Sequence, residues 1–371
     1  MNTDSDVLLQ QAYEAWQQAM LKAAKTDDEN VFVWTDYEGL TYRHLPPPVD
    51  VDVSLPHMDA FHNYWVMQKQ TPGFGIASYH HERIQRYMDD FIQLYWLDSD
   101  TKKEQFTGSK AWHILNDPSL INTSAINVIN PYINAISNGT KADPKQSQKF
   151  LAQNEFDYIL IDAASFHNCG ASPTWEIALA LSMADELVSL VDNKAALAQK
   201  MLISSGVGVM QLLEIAKLRA LRFGIYNLLG AYMEHAPFTP IIASTSGTYF
   251  SHQVNIALLL KEEAHLDKVI DPYAGSYYLE QQTDTLAKKA WEHYLEIKAA
   301  GGFSEALNAG IIQREVKSYR EKLHDLFRLN QITGIGINKY QSSFAKSVPQ
   351  PAAATAASTE IEVLTPFNLF A

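Results

Sequence analysis

The stretch Phe156–Ala164, FDYILIDAA, decides the fold class of this chain. Its apolar run is almost continuous, with none of the alternation that marks a half-buried strand. Such a run is typical of a strand in a parallel sheet that is covered on both faces. The sequence therefore predicts a buried parallel strand here, and the neighbouring segments can be placed relative to it.

Helical and extended patterns alternate on both sides of this strand. Trp175–Val191 has a broad apolar helical face, and Val207–Leu229 is apolar nearly all round, which predicts a helix packed between other elements. Pro240–Ser246 is a short strand candidate, and Ala125–Ile136 is β-branched and apolar. Residues 98–118 are polar, so we expect a loop around a short helix there. Strands alternating with helices at this spacing predict an α/β fold.

The two ends of the chain differ in character from its middle. Residues 1–25 have helical spacing and form either an arm docked on another surface or the first helix of the domain. A proline-rich extended segment follows, so residues 1–56 are expected to be arm and linker. Residues 57–346 are the main domain, and residues 347–371 are a Pro/Ala/Thr-rich linker with a short apolar tail that could dock on a partner.

Composition excludes several classes of protein. The 371 residues are 47% hydrophobic and 19% charged, with a net charge of −13, which argues against a nucleic-acid binder. The one cysteine, Cys169, excludes an intrachain disulfide and a cysteine-rich metal site. His80 and His81 are adjacent and cannot easily share an ion, so no metal is assigned. The acidic N-terminus has no signal-peptide pattern and no apolar run is long enough to span a membrane, so we expect a cytoplasmic protein.

The segment Ile270–Glu280, IDPYAGSYYLE, predicts a turn followed by a helix. Pro272 excludes a helix at its start and Gly275 permits a tight turn. Tyr277–Glu280 reads as a short extended piece, with a helix beginning near Thr283 and ending at the glycine pair 301–302.

The sequences of several segments resemble those of the methylmalonyl-CoA mutase family. Glu214, Lys217 and Arg219 match the family's E-[IV]-A-K-x-R-A-x-R helix, and residues 243–247 are similar to its C-Q-T-S-G phrase. Further similar phrases lie in family order at residues 156–188, 268–280, 286–302 and 333–340. Within these phrases, this sequence departs from the family pattern at Ala274, which replaces a glycine, and at Phe303, which replaces a methionine.

The resemblance implies a (β/α)8 barrel with its active site at the carboxyl ends of the strands. In the family, coenzyme A runs along the barrel axis and adenosylcobalamin lies below those strand ends. About 30 residues, roughly one βα unit, are absent between Gly247 and Val254–Ala264. We therefore expect a degenerate TIM-barrel-like domain with an N-terminal helical arm.

The resemblance also implies a weakened substrate site. His167 takes the place of the family's ligand-facing glutamine, and Ile242 takes the place of the histidine that hydrogen-bonds the thioester carbonyl. An isoleucine cannot stabilise charge on that oxygen. The residues carried over as a vestigial substrate pocket are His167, Asn168, Ser244, Thr245 and Ser246.

A flavodoxin-like cobalamin-binding domain is not expected in this chain. Its D-x-H-x-x-G signature has one partial match, Ser165–Gly170, where a serine replaces the aspartate that would orient His167 as a ligand. We therefore assign no cofactor to this chain and place adenosylcobalamin in a partner subunit.

Taken together, the resemblance implies a non-catalytic small subunit of a heterodimeric methylmalonyl-CoA mutase. Its large subunit would interconvert methylmalonyl-CoA and succinyl-CoA. Two alternatives stay open: an active acyl-CoA mutase half completed by a separate cobalamin subunit, and a stand-alone scaffold or CoA-binding protein.

Overall fold

The structure is a computed structural model, and it describes part of the chain. The described residues are 3–44, 95–97, 111–115, 126–152, 156–208, 210–237, 239, 241–245, 263, 271–333, 338–340, 361–362 and 364. Ser246, His80, His81, the Pro46–Pro56 linker and residues 347–359 lie outside this set, as do the boundaries predicted at residues 56 and 346.

Six parallel strands form the main sheet. They are β3 (Tyr95–Leu97), β4 (Ala111–Leu115), β5 (Ile126–Ile129), β6 (Tyr158–Asp162), β7 (Met201–Val207) and β8 (Ile241–Thr245). Each strand pairs with the next in chain order, from β3 to β8. Parallel neighbours need a crossover between them, and described helices lie in the connections that follow β5, β6 and β7. The result is a mixed α/β fold with sequential parallel strands, and the described strands form no closed barrel.

Helices cover this sheet and account for much of the core. Those after β5 are α2 (Ile133–Asn138), α3 (Pro144–Ala152), α4 (Ala164–Asn168), α5 (Pro173–Ser189), α6 (Lys194–Gln199), α7 (Gln211–Gly230), α8 (Tyr277–Ala299), α9 (Phe303–Asn308) and α10 (Ile311–Arg328). The α5, α7 and α8 helices pack against one another. Burial of α5 along nearly its whole length explains why its sequence has no clear polar face.

An N-terminal helix and hairpin precede the sheet. The helix α1 (Thr3–Ala24) confirms the predicted helical segment, and its aliphatic start is exposed, with Leu8 at 65%. A 3-10 turn at Glu29–Phe32 leads into the antiparallel hairpin β1 (Val33–Thr35) and β2 (Thr41–Arg43). The buried ring of Tyr42 anchors the hairpin in the core.

One predicted element was wrong, and the start of another was placed too early. Residues 111–115, placed in a loop around a short helix, form strand β4 between β3 and β5. The long helix predicted from Val207 is confirmed, but it begins at Gln211. The preceding strand β7 was not predicted. Its Ser204 and Ser205 weaken the apolar pattern of the sequence. Both are buried, and their hydroxyl groups donate hydrogen bonds to carboxylates. The predicted strands at 156–164 and 240–246 are confirmed as β6 and β8.

The extended piece predicted at Tyr277–Glu280 is also wrong, because helix α8 already begins there after Ser276. Leu279 is buried, which draws this segment into the helix pack. Gly275 has a φ of +80°, so it provides the turn expected of it. Ala274 has no positive φ, so the glycine that the family has at this place is not needed here.

Arg219 of α7 explains why the segment before α8 has its distinctive sequence. Its guanidinium donates to Asp271 Oδ2 at 2.8 Å and to Glu280 Oε1 at 2.7 Å. It also donates to Thr283 Oγ1 at 2.8 Å, and Glu280 Oε1 accepts a further bond from the Gly275 amide. The segment therefore fixes the start of α8 on α7.

The described part of the C-terminal tail packs on its own chain. The Ile361 amide donates to the Gly139 carbonyl at 2.9 Å, and the Cys169 thiol donates to the Leu364 carbonyl at 3.3 Å. Burial raises the pKa of the Cys169 thiol to about 11. This part of the tail is thus part of the domain, while Phe367–Ala371 lie outside the described residues.

Candidate functional site

Four of the five predicted site residues lie on elements at the carboxyl edge of the sheet, and the fifth, Ser246, is outside the described residues. Helix α4 follows the end of β6 and carries His167 and Asn168. In the strand register, Gly206 of β7 pairs with Ser244 of β8, and Val207 pairs with Thr245. The carboxyl ends of parallel strands are where α/β proteins position ligands, so this edge is the candidate site.

A buried carboxylate, Glu176 of α5, holds the site together. Its Oε1 accepts hydrogen bonds from the Ser205 hydroxyl and the Gly206 amide, each at 2.7 Å. Its Oε2 accepts from Lys217 Nζ at 2.8 Å and lies 3.0 Å from His167 Nδ1. Burial alone would raise the pKa of Glu176, but the Lys217 charge and these hydrogen bonds outweigh it and lower the pKa. Glu176 is therefore an ionised, acceptor-only group.

Lys217 of α7 supplies the compensating charge. Its side chain is fully buried, and its Nζ lies 2.8 Å from Glu176 and 2.6 Å from Glu214. It also donates to the Gly206 carbonyl at 2.7 Å. Burial lowers the pKa of Lys217, but the two carboxylates raise it further, so the ammonium stays charged. The network ties α5, α7 and β7 together.

The imidazole of His167 lies directly against the backbone of β7. A Cβ atom built on Gly206 would stand 2.1 Å from His167 Cγ and 2.2 Å from Cδ2. A Cβ on Gly208 would meet Glu214 Oε1 at 2.8 Å and would lie 3.7 Å from His167 Cε1. Only glycine fits at position 206 while the ring occupies this place.

The predicted site residues differ in the contacts that the structure gives them. His167 joins the Glu176 network, and the Oδ1 atom of Asn168 is buried without a hydrogen-bond partner among the described residues. Ser244 and Thr245 lie at the matching end of β8, where the structure defines their backbone alone. Ile242 of β8 pairs with Ser204 of β7. Their role in binding a substrate stays a prediction.

Sequence reasoning missed the group that orients His167. We expected no carboxylate behind this imidazole, because Ser165 replaces an aspartate in the partial cobalamin signature. Glu176, nine residues farther along, provides that carboxylate from another helix. The His167 side chain is only 16% exposed and its ring packs against Gly206 of β7, a setting that does not fit a histidine ligand of cobalamin. We therefore derive no step through cobalamin in this chain.

A second polar pocket, of about 290 Å³, lies between α5, α8 and the glycine pair 301–302. Its carboxylates are already engaged by the protein. Lys298 pairs with Asp185 at 3.1 Å, while Glu186 accepts from the Tyr132 hydroxyl and the Ser304 amide. This pocket is accounted for by contacts that stabilise the helix pack.

Two classes of site find no support in the described residues. No group of three or more histidine, cysteine, aspartate or glutamate side chains there is arranged to hold a metal ion. Among the described helices, none combines the length and apolar character that a membrane crossing requires.

Phe303, where the family has a methionine, has a structural role. Its buried ring packs on Tyr132 at a centroid distance of 4.7 Å.

Comparison with known proteins finds the family that the sequence resembles. Residues 243–364 match the family model described as methylmalonyl-CoA mutase. The chain is 28% identical to the methylmalonyl-CoA mutase small subunit of Porphyromonas gingivalis over 237 residues, which are 50% of this chain and 38% of that protein. It is 27% identical to the small subunit of Streptomyces virginiae over 229 residues, 48% of this chain and 37% of that protein.

A shorter match links the chain to a methylmalonyl-CoA mutase of Rhizobium meliloti, with 38% identity over 96 residues, 25% of this chain and 14% of that protein. The chain thus spans less than two fifths of the length of these curated relatives. The comparisons confirm the resemblance to the mutase family, with small subunits matching over about half of this chain.

Proposed function

With its kinship to methylmalonyl-CoA mutase small subunits as the premise, we propose that this chain is a non-catalytic small subunit of a heterodimeric, adenosylcobalamin-dependent mutase. The large subunit binds the cobalamin and interconverts methylmalonyl-CoA and succinyl-CoA. The described strands belong to a degenerate (β/α)8 barrel, and the assembly is cytoplasmic.

The observation that carries the proposal is Ile242 in β8. The strand register pairs it with Ser204 of β7. The resemblance puts it at the position where the family uses a histidine on the thioester carbonyl. An isoleucine provides neither a hydrogen bond nor charge stabilisation to that oxygen. The chain therefore keeps the scaffold of the family and lacks a donor that the chemistry requires.

The N-terminal helix is the proposed contact with the large subunit. Three consecutive aliphatic residues at its start, Val7, Leu8 and Leu9, are 54%, 65% and 44% exposed. Exposed aliphatic side chains gain free energy when a partner covers them.

The test is co-expression of the tagged chain with a candidate large subunit, followed by affinity purification, cobalamin absorbance and a mutase assay. The proposal predicts an equimolar complex that carries cobalamin and mutase activity, and a chain that is inactive alone. Leu8→Glu should weaken the complex at least tenfold. Leu329→Glu is the matched control, since Leu329 is 68% exposed at the end of α10 and should leave the affinity unchanged.

Two results would replace this proposal by its alternatives. Turnover by the chain with a separate cobalamin-domain protein, without a large subunit, would show an active mutase half. A monomer that binds no large subunit would indicate a stand-alone protein, and acyl-CoA titration would then distinguish a CoA binder from a scaffold.

A further inference from the structure

The orientation of His167 decides which kind of ligand its free nitrogen can receive. Glu176 is ionised and only accepts hydrogen bonds, so the 3.0 Å contact requires that His167 Nδ1 carry the proton. In the neutral imidazole Nε2 then holds a lone pair. That atom has no hydrogen-bond partner within the part of the chain that the structure describes, so it is available to a donor.

A second acceptor is carried by the next residue of the same short helix. Asn168 Oδ1 is buried and has no hydrogen-bond partner among the described residues. Buried polar atoms in proteins are satisfied in the great majority of cases, so a missing partner calls for an explanation. A ligand that presents N–H or O–H groups would satisfy both acceptors.

The charge around the imidazole points to the same class of ligand. Glu176 and Glu214 are two buried carboxylates that share one ammonium, Lys217, which leaves the cluster with one net negative charge. Glu214 Oε1 lies close to Gly208, on the side of the ring that bears Cε1. A carboxylate ligand at His167 would therefore meet like charge at short range in a poorly solvated place.

We propose that His167 and Asn168 form a hydrogen-bond-acceptor subsite that binds neutral or cationic N–H and O–H donors and rejects carboxylates. This deepens the proposed function, on which it rests, because the free carboxylate of a methylmalonyl or succinyl thioester is the kind of group that the subsite excludes. The loss of turnover then has a second physical basis besides Ile242. Glu176 acts through His167 and is a positioning residue.

The first measurement reads the imidazole of the unaltered, isolated chain at pH 8. Nitrogen-15 chemical shifts of the His167 ring distinguish a protonated Nδ1 from a protonated Nε2. We expect the proton on Nδ1 and a free lone pair on Nε2. A proton on Nε2, alone or in an imidazolium, would overturn the inference.

The second measurement compares two ligands by calorimetric titration. Pantetheine is neutral and offers amide and hydroxyl donors, while succinate is a dianion of simple structure. We expect pantetheine to bind at least tenfold more tightly than succinate, and His167→Ala to weaken pantetheine at least tenfold. His235→Ala is the matched control, since His235 is exposed and distant in the chain.

Three results would contradict the subsite: equal or tighter binding of succinate, no binding of pantetheine, or no effect of His167→Ala in a variant whose circular dichroism is native. Since the isolated chain is used, these results do not depend on whether a large subunit binds. A failed heterodimer would leave this test unaffected, and a failed titration would leave the heterodimer standing.

Discussion

Replacing Gly206 by alanine tests the packing at the centre of the candidate site. The added methyl group would stand 2.1 Å from His167 Cγ, 2.2 Å from Cδ2 and 2.5 Å from Cβ. These atoms belong to the imidazole ring and to the Cβ of His167, so a small side-chain rotation cannot relieve the clash. The imidazole must move away from β7. The φ of Gly206 is not positive, so the cost is steric and not a matter of backbone strain.

The magnitude follows from two contributions. Forcing an extra methyl into a packed core costs about 1–3 kcal/mol. Moving the ring also breaks its hydrogen bond to the Glu176 carboxylate, and a bond to a charged group contributes about 1.5–3 kcal/mol. We therefore expect Gly206→Ala to lower the free energy of unfolding by about 2.5–6 kcal/mol.

Urea denaturation followed by circular dichroism measures this loss. Gly230→Ala is the matched control, because Gly230 ends α7, is exposed, and has nothing within 4 Å of a built Cβ. That change should be neutral or stabilise by up to about 1 kcal/mol. In the double variant Gly206→Ala/His167→Ala the methyl group enters the space that the ring has left. The double variant should therefore lose less unfolding free energy than the sum of the two single variants.

Two results would refute the reasoning. Equal unfolding free energies for Gly206→Ala and Gly230→Ala would show that the ring does not occupy this place. Strict additivity in the double variant would show that the loss at Gly206 does not arise from His167.

Two other perturbations address the buried charges. Lys217→Met should cost about 3–5 kcal/mol of unfolding free energy, because it leaves Glu176 and Glu214 buried without their cation; Lys288→Met, at an exposed pair on α8, should change it by less than about 1 kcal/mol, and equal losses in urea would contradict the account. Burial raises the pKa of Glu38 from 4.5 to about 7 against the lowering effect of its hydrogen bonds, so the folded state holds this proton more tightly than the unfolded state. Its stabilising contribution is complete below pH 4.5 and falls as the pH rises to 7, by at most about 3 kcal/mol. Glu38→Gln should flatten that fall in unfolding free energies measured at pH 5 and pH 7.5, and parallel pH profiles would disprove the assignment.

Elements whose signal is local could be predicted from the sequence. The continuous apolar run FDYILIDAA is enough to predict β6, and the helical spacing of residues 1–25 predicts α1. Strand β7 could not be recognised in the same way. Ser204 and Ser205 look polar in isolation, and only Asp162 and Glu176, brought in by the fold, make their burial favourable.

The candidate site shows the same division. His167 was found through the resemblance, since a pattern of residue types fixes its place in the chain. Glu176 was missed because its partners are scattered, with Lys217 lying 41 positions away in sequence. Such a cluster exists only after β7 and the surrounding helices have packed.

The tail that returns to the domain has a consequence for biosynthesis. The contact between Cys169 and Leu364 joins positions 195 residues apart, and the second of them is made close to the end of this sequence. At translation rates of about 5–20 residues per second, roughly 10–40 s pass between the synthesis of the two partners. During that interval the thiol and the neighbouring surface of α4 lack their cover, so the nascent domain exposes them to chaperones and oxidants until Leu364 has been synthesised.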